Sequence, residues 1–353
     1  MVKNPIPVYL VTTRDLQIVA IRFPCLNKAV HGGKGVEIKS HEKKQIFDYS
    51  TSLNPMPPKL TWDVSIDAIR DYPDDQYTHL KETIAHHHGR KPEEICVGNG
   101  SAEVIRTLCH TMLNAGSVVE VSPHTFSEYA LSSKLAGAEV TEKRSARVDL
   151  SFVCNPDNPS GVLTPRDEIL ERLNDIKGRG GILCVDEAFI DLADPHESVS
   201  DIQDCGLFVL CSLTKSFSMA GVRFGYGIGD PDLIAAMEVM RPPWTINAFA
   251  EAMALQAFDL FKDLELSRAY IAEERARICK EAIRLGLNPS QASANYVLLD
   301  IGSDSKEFTT AMFNQGILVR DCRSFGFPTC IRVAIRDHET NNRLLEALSI
   351  CLR

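Results

Sequence analysis

The chain has 353 residues, 24% of them charged and 44% apolar, with a formal net charge of -9. That is the balance of a soluble globular enzyme long enough for more than one compact lobe. The acidity argues against a nucleic-acid binder, which carries a basic face, but leaves room for a local basic pocket around an anionic substrate; no apolar run reaches the length of a membrane span.

Residues 1–47 read as an N-terminal arm, part of a small domain or a lid. Met1 to Phe23 is partly apolar, but Lys3, Arg14, Asp15 and Arg22 interrupt it, and the order of a signal peptide is missing. His31-Gly32-Gly33 lets a backbone approach a ligand closely, and an ordinary surface turn would use the same residues. Asp48 to Pro58 is a proline-rich loop leading into the main body. Asp71-Tyr72-Pro73-Asp74 is a turn signature, and an apolar-spaced helix then runs to His86-His87-His88-Gly89. Consecutive histidines point in different directions on a helix and cannot converge on one metal ion, so a solvated helix end is expected and no metal site. None of the eleven cysteines forms a C-x-x-C pair. Cys96, Cys154, Cys184 and Cys211 sit in apolar runs and read as reduced core thiols of a cytoplasmic protein.

From Glu94 the pattern becomes strand, turn, helix, repeatedly. Ile95 to Val97 is a strand, and Gly98-Asn99-Gly100-Ser101-Ala102 turns into a helix carrying Val104, Ile105, Leu108 and Met112. A glycine-rich turn opening a helix presents N–H groups at the positive end of its dipole, where a phosphate can sit, although many α/β turns share that form. Strands follow at Val118–Val121 and Ser151–Cys154, with a helix from Phe126 to Ala136 between them. Asn155 to Gly161 is a dense turn cluster, and the next helix starts with Pro165 at its first position. Gly181 to Val185 is apolar, as for a strand covered on both faces, and ends in Asp186-Glu187. Strands at 207–211 and 224–228 complete the series. Such alternation implies a mostly parallel sheet with helices on both faces, whose ligands bind at the carboxyl ends of the strands. After Pro242-Pro243 the texture changes. A long helical stretch, Asn247 to Leu285, breaks near 259–263. Strands at 296–300, 317–320 and 330–335 and helices at 305–314 and 337–350 make an α+β lobe. The division expected is an arm over 1–47, a large domain over 48–245 and a small C-terminal domain over 246–353.

The stretch from Ser212 to Tyr226 carries the chemistry. A lysine beside a core strand is costly, and is worth placing there when its amine must be desolvated and nucleophilic. Ser212, Thr214 and Arg223 supply two hydroxyls and a guanidinium fork, enough to hold a phosphate. An imine-forming lysine beside a phosphate cradle points to pyridoxal phosphate (PLP). PLP also needs an anion at its ring nitrogen, for which Asp186 is placed. Asn158 can bond the ring's phenolic oxygen and Phe126 can stack on the ring. Singly, these would pass as a bracing Asp, a turn Asn and a core Phe.

Together, N-P-D-N-P-S-G, D-E-A-F and S-L-T-K-S-F-S-M-A-G-V-R-F-G-Y resemble the fold-type I, PLP-dependent aminotransferases of class I/II, from about Asp48 to the C-terminus. The resemblance implies the α/β, aspartate aminotransferase-like fold of PLP-dependent transferases. It implies Lys215 as the cofactor's imine partner, Asp186 at the pyridine nitrogen, Asn158 at the phenolic oxygen and Phe126 against the ring. Gly100, Ser101, Ala102, Ser212, Thr214 and Arg223 would hold the phosphate, with Tyr72 reaching that of a neighbouring subunit in a homodimer. Arg332 would take the substrate α-carboxylate. Many members have a tyrosine where Phe189 stands. Two branches compete. Histidinol-phosphate aminotransferases share Y-P-D, G-N-G-S and D-E-A; threonine-phosphate decarboxylases of cobalamin synthesis share H-G-G, an N-P-x-x-P-P-like loop, D-E-A-F and R-D-C-x-S-F. The decarboxylase branch is the closer, with Ser52 where an asparagine is usual. Both take phosphorylated amino compounds, and His31, Asn54, Asn158, Arg320 and Arg323 are candidates for the substrate pocket. A catalytically silent PLP-fold regulator is disfavoured, because the lysine set is intact and no basic nucleic-acid-binding segment is present.

Overall fold

A computed structural model describes residues 28–30, 45–61 and 64–353. In chain order the strands and main helices begin with β1 (Phe47–Asp48), α1 (Thr78–His88), β2 (Ile95–Gly98), α2 (Ser101–Met112) and β3 (Val118–Val121). Next come α3 (Glu128–Leu135), β4 (Glu139–Thr141), β5 (Leu150–Cys154), α4 (Arg166–Gly178) and β6 (Ile182–Asp186). Then follow β7 (Leu207–Cys211), α5 (Leu213–Ser216), β8 (Gly225–Ile228), α6 (Pro231–Met240), α7 (Ala248–Asp259) and α8 (Leu264–Arg284). The C-terminal part holds β9 (Asn288–Pro289), β10 (Tyr296–Asp300), α9 (Ser305–Asn314), β11 (Ile317–Leu318), β12 (Arg320–Asp321), β13 (Cys330–Ala334) and α10 (His338–Cys351).

Among the described residues the central sheet has seven strands in the order β2-β8-β7-β6-β5-β3-β4. Only β8 runs against the rest, lying antiparallel between β7 and β2. β5 and β7 are buried at every position because apolar residues cover both faces. Alternation divides them: Val153, Val185 and Val209 join one core, Phe152, Cys184 and Phe208 the other. A four-stranded antiparallel sheet, β12-β13-β10-β9, follows. It sets Arg320 directly opposite Arg332.

An extended strap joins the two sheets. β1 pairs in parallel with β11. Tyr49 N donates to Leu318 O, and Tyr49 O accepts from Ala334 N. Ser52 O accepts from Asn295 Nδ2 at 3.0 Å, and Asn54 N donates to Lys215 O at 3.0 Å.

Local details differ from expectation in three places. Pro165 is the N-cap, extended at ψ 146, and not the first helical residue; its carbonyl accepts the first helical N–H from Ile169. The strand expected over 317–320 is two short strands with different partners, β11 on β1 and β12 on β13. The histidine run is not simply a solvated end. His88 lies between the Ser200 hydroxyl at 3.0 Å and the Tyr226 phenol at 2.9 Å, and burial pushes its imidazole down to about 3.

Candidate active site

The carboxyl ends of β5, β6 and β7 and the start of α2 open onto one cavity of about 380 Å³, which the C-terminal part closes with Arg320 and Arg332 from its sheet and Phe325 from the 3-10 turn between β12 and β13. Lys215, Asp186, Asn158, Ser101, Ala102, Phe126, Ser212, Thr214 and Arg223 all line it. Sequence-distant residues meet here because parallel strands deliver their following loops to one edge.

Lys215 sits on α5, a single turn too short to stand alone. Ser212 caps it, its hydroxyl accepting from Thr214 N at 3.3 Å. Burial is the main force on the lysine amine; with the positive charges of Arg332 and Arg223 it brings the amine down to about 8, against the opposing pull of Asp186. Such an amine is neutral often enough near neutrality to attack a carbonyl or take a proton.

Asp186 is buried, and burial raises its carboxyl above the ordinary value. Two hydrogen bonds counter this: Tyr129 OH donates to Oδ2 at 2.6 Å and Ala188 N to Oδ1 at 3.0 Å. No Lys, Arg or His among the described residues forms an ion pair with it, so a cationic ring nitrogen is the partner its site suits. The helix expected from Phe126 begins at Glu128, and Phe126 lies in the turn before it, where its carbonyl accepts from Tyr129 N at 3.3 Å. Tyr129 stacks on Phe152 at 4.7 Å and meets Phe126 edge-on at 5.4 Å.

A phosphate fits between α2 and the Ser212–Arg223 stretch. Gly100 is the N-cap of α2 at φ +81, with no side chain to occupy the first N–H groups. A Cβ there would lie 2.2 Å from an Arg223 guanidinium nitrogen and would displace that guanidinium, while the positive φ itself favours glycine. Gly225 backs the cradle: a Cβ on it would come within 2.4 Å of Ser101 N. The Ser212 and Thr214 hydroxyls are buried beside these donors. Amine, buried carboxylate, phosphate cradle and aromatic wall together fit PLP.

Two arginines face the opposite side of the cavity. Arg332 donates through Nη1 to Asn158 Oδ1 and through Nη2 to Ser50 O at 3.3 Å. Its guanidinium lies 4.8 Å from the Tyr296 ring, and its Nε is buried without a hydrogen-bond partner. Arg320 donates to Val30 O at 2.7 Å and Ser324 Oγ at 2.9 Å. Burial, then the charge of Arg332, lowers its pKa. Two buried, mutually repelling cations are suited to a substrate with two anionic groups. Nothing in the sequence signalled the Val30 carbonyl or the Tyr296 ring.

Two expected substrate residues do not reach the cavity. Asn54 spends its side chain on the lysine turn: Nδ2 donates to Ser216 O at 2.7 Å and Ser267 Oγ at 2.9 Å, while Oδ1 accepts from Met56 N. Arg323 is exposed and donates to Asp321 Oδ2 through Nε at 2.8 Å and Nη2 at 2.5 Å. Tyr72 is 79% exposed, outside its own chain's cavity, and packs on Trp244 at 4.4 Å. His31 lies outside the described residues. Phe189 stands 5.7 Å from Lys215 Nζ and meets Tyr296 edge-on at 4.9 Å. Ser52 forms part of the cavity wall.

Residues 63–348 match the model of the family described as Aminotransferase class I and II. The histidinol-phosphate aminotransferase of Symbiobacterium thermophilum is 30% identical, over 90% of this chain and 92% of that protein. A provisionally named threonine-phosphate decarboxylase of Caldanaerobacter subterraneus is 32% identical, over 89% of this chain and 95% of that protein. The solved histidinol-phosphate aminotransferase of Sinorhizobium meliloti, in complex with pyridoxal-5'-phosphate, superposes with a TM-score of 0.81 at 20% identity, over 94% of this chain and 96% of that one.

Proposed function

The chain belongs to the class I and II aminotransferases, PLP-dependent enzymes, and from that premise we propose that it acts on a phosphorylated amino acid. The reaction proposed is loss of the α-carboxylate, as in a threonine-phosphate decarboxylase, turning O-phosphothreonine into aminopropanol phosphate and carbon dioxide. The observation that carries the substrate class is the pair Arg320 and Arg332, buried and opposite one another on adjacent strands in the cavity that holds Lys215; the choice of decarboxylation rests on the resemblance of the H-G-G, D-E-A-F and R-D-C-x-S-F segments to threonine-phosphate decarboxylases. Arg332 would hold the α-carboxylate end and Arg320 the phosphate.

When bound, PLP supplies an electron sink conjugated to the substrate α-carbon. The remaining work belongs to the chain's own side chains. Asp186, oriented by Tyr129, would keep the proton on the ring nitrogen. Gly100, Ser101, Ala102, Ser212, Thr214 and Arg223 would anchor the phosphate of PLP, and Phe126 would cover the ring. Asn158, which braces Arg332, would meet the phenolic oxygen. Lys215 moves the proton at the α-carbon. In decarboxylation the Cα–carboxylate bond breaks, carbon dioxide leaves, and a proton is delivered to the same carbon; in transamination the Cα–H bond breaks instead. The aminotransferase reading, on histidinol phosphate with 2-oxoglutarate, is supported by the named relative from Symbiobacterium thermophilum and needs the same two arginines for its dicarboxylate acceptor.

Tyr72 and Trp244, an exposed aromatic pair, support a homodimer in which Tyr72 serves the partner's cofactor phosphate. The division at 48–245 and 246–353 is supported by two separate sheets, and a cytoplasmic setting by the buried free thiols; among the described residues no helix is long and apolar enough to cross a membrane. A role in cobalamin synthesis follows from the decarboxylase reading alone.

The test is a product assay on PLP-loaded protein with O-phosphothreonine, with and without 2-oxoglutarate. Carbon dioxide release independent of the oxoacid is the expected result. Turnover that requires the oxoacid, with this substrate or with histidinol phosphate, replaces it with the aminotransferase.

A further inference from the structure

Behind the lysine turn lies a second cavity of about 260 Å³, lined by Glu187, Asp191, Ser198, Cys211, Lys262 and Arg268 among others. The mechanism above uses none of these. The cavity nevertheless adjoins the chemistry: Glu187 in its wall follows Asp186, and Asp191 in its wall accepts from Ser216, which follows Lys215. Successive residues at a strand end point to opposite faces, so Asp186 looks into the PLP cavity while Glu187 looks into this one.

The contact that links the two cavities is Ser216 Oγ donating to Asp191 Oδ2 at 2.7 Å. Ser216 is fully buried. Asp191 sits on a short 3-10 helix, Ile190–Leu192. That helix is itself fixed, for Arg268 Nη1 donates to Asp191 O at 3.1 Å. On its other side the lysine turn is held by Asn54, through Lys215 O and Ser216 O. The backbone of the turn is therefore clasped from one side and its Ser216 side chain from the other. A one-turn helix has little stiffness of its own, so these outside bonds decide where the Lys215 amine points.

We propose that Asp191 is a positioning residue for Lys215: through the Ser216 hydroxyl it holds the lysine turn so that the amine stays in its buried place between Asp186, Arg332 and Arg223. The proposal rests on the reading of Lys215 as the PLP-bearing lysine. Without the tether the turn is free to carry the Lys215 nitrogen, whether free or joined to PLP, away from the two arginines and toward solvent. Both changes favour a protonated nitrogen.

The test is a pH titration of the visible absorbance band of the PLP-loaded protein, free of substrate, in wild type, Ser216→Ala, Asp191→Ala, Asp191→Asn and the double variant Asp191→Ala/Ser216→Ala. The tether predicts that Ser216→Ala and Asp191→Ala each raise the pH midpoint of the band by about half a unit or more. The double variant should shift no further than either single one, since all three lose one and the same bond. Asp191→Asn keeps an acceptor for the hydroxyl and should stay near the wild-type midpoint. A merely structural role would lower the thermal midpoint without moving the band. Wild-type band midpoints in Ser216→Ala and Asp191→Ala, or shifts that add in the double variant, overturn the proposal. Lys215→Ala serves as the reference: a band that survives it overturns the lysine assignment and the tether together, whereas a band lost in Lys215→Ala and unmoved in Ser216→Ala refutes the tether alone.

Discussion

Replacing Glu187 with glutamine should change how stability depends on pH. Glu187 is 2% exposed. It accepts from Ser198 Oγ at 2.5 Å and Val199 N at 2.8 Å, and among the described residues it has no ion-pair partner. Burial pushes its carboxyl from 4.5 to about 7. The folded chain therefore keeps a proton that the unfolded chain releases between these values. Stability contributed by this group is greatest below pH 4.5, falls as pH rises through the window, and levels off above about 7. At 1.36 kcal/mol per unit, the displacement corresponds to about 3 kcal/mol. Divided by the unfolding entropy of a chain this long, that is a shift of roughly 4 °C in thermal midpoint. Glutamine carries no charge at any of these pH values; its Oε1 can accept from Val199 N, and its amide nitrogen can donate to the Ser198 hydroxyl, which lies 2.9 Å from Ser200 Oγ. The assay is thermal unfolding of wild type and Glu187→Gln from pH 4.5 to 8.5. The difference between the two curves removes the other titrating groups to first order. It should rise in favour of the variant by roughly 4 °C between the ends of the window. A flat difference, or one that moves against the variant at high pH, would refute the claim that Glu187 is buried without a compensating charge.

Three further outcomes follow from the site. Gly225→Ala would set a Cβ 2.4 Å from Ser101 N and 2.8 Å from Gly100 C, both backbone atoms, so PLP retention on dialysis should fall by about tenfold or more; unchanged retention would mean that the cradle does not depend on this approach. Arg332→Gln removes the cation that, after burial, does most to hold down the Lys215 amine. The protonated form then persists to higher pH, and the midpoint of the visible band should rise; a fall would reverse the electrostatic assignment. Arg323→Ala should leave the Michaelis constant for the phosphorylated substrate within about twofold, while Arg320→Ala should raise it by about tenfold or more, and steady-state kinetics that show equal effects would count against the placing of the two side chains.

The strands that carry the site were legible because burial on both faces forces an apolar run, as in Leu207–Cys211, whatever the surrounding topology. The same holds for Lys215, Asp186 and Asn158, which follow such runs. The C-terminal arginines were harder to read. In Arg320-Asp321-Cys322-Arg323 two guanidiniums lie three residues apart with an acid between them. The strand sends Arg320 inward, and Asp321 captures Arg323 outside. Sequence spacing does not tell which arginine the acid will take. Asn54 was misread for a related reason: a polar residue in a loop near a site suggests a ligand contact, but its amide is spent on Ser216 O of the lysine turn and on the Ser267 hydroxyl. His88 looked solvated beside His86 and His87, yet Ser200 and Tyr226, more than a hundred residues away, enclose its ring. Contacts of that range leave no local pattern.

The strap from Phe47 to Asn54 has a consequence for how the chain is made. Its partners are Leu318 and Ala334, Arg332, Asn295 and the Lys215–Ser216 carbonyls. Synthesis delivers the strap well before all of these partners, most of which lie more than two hundred residues further along the chain. The seven-stranded sheet can assemble once Ile228 has emerged, since all its strands lie before that point. The clasp on the lysine turn cannot close then, because the strap that forms it is itself fixed by β11, β13 and Asn295. A growing chain thus carries a reactive amine that stays loosely held until Leu318, Arg332 and Ala334 have emerged. The order of translation, N-terminal units first, makes the site rigid only after the seven-stranded sheet has formed.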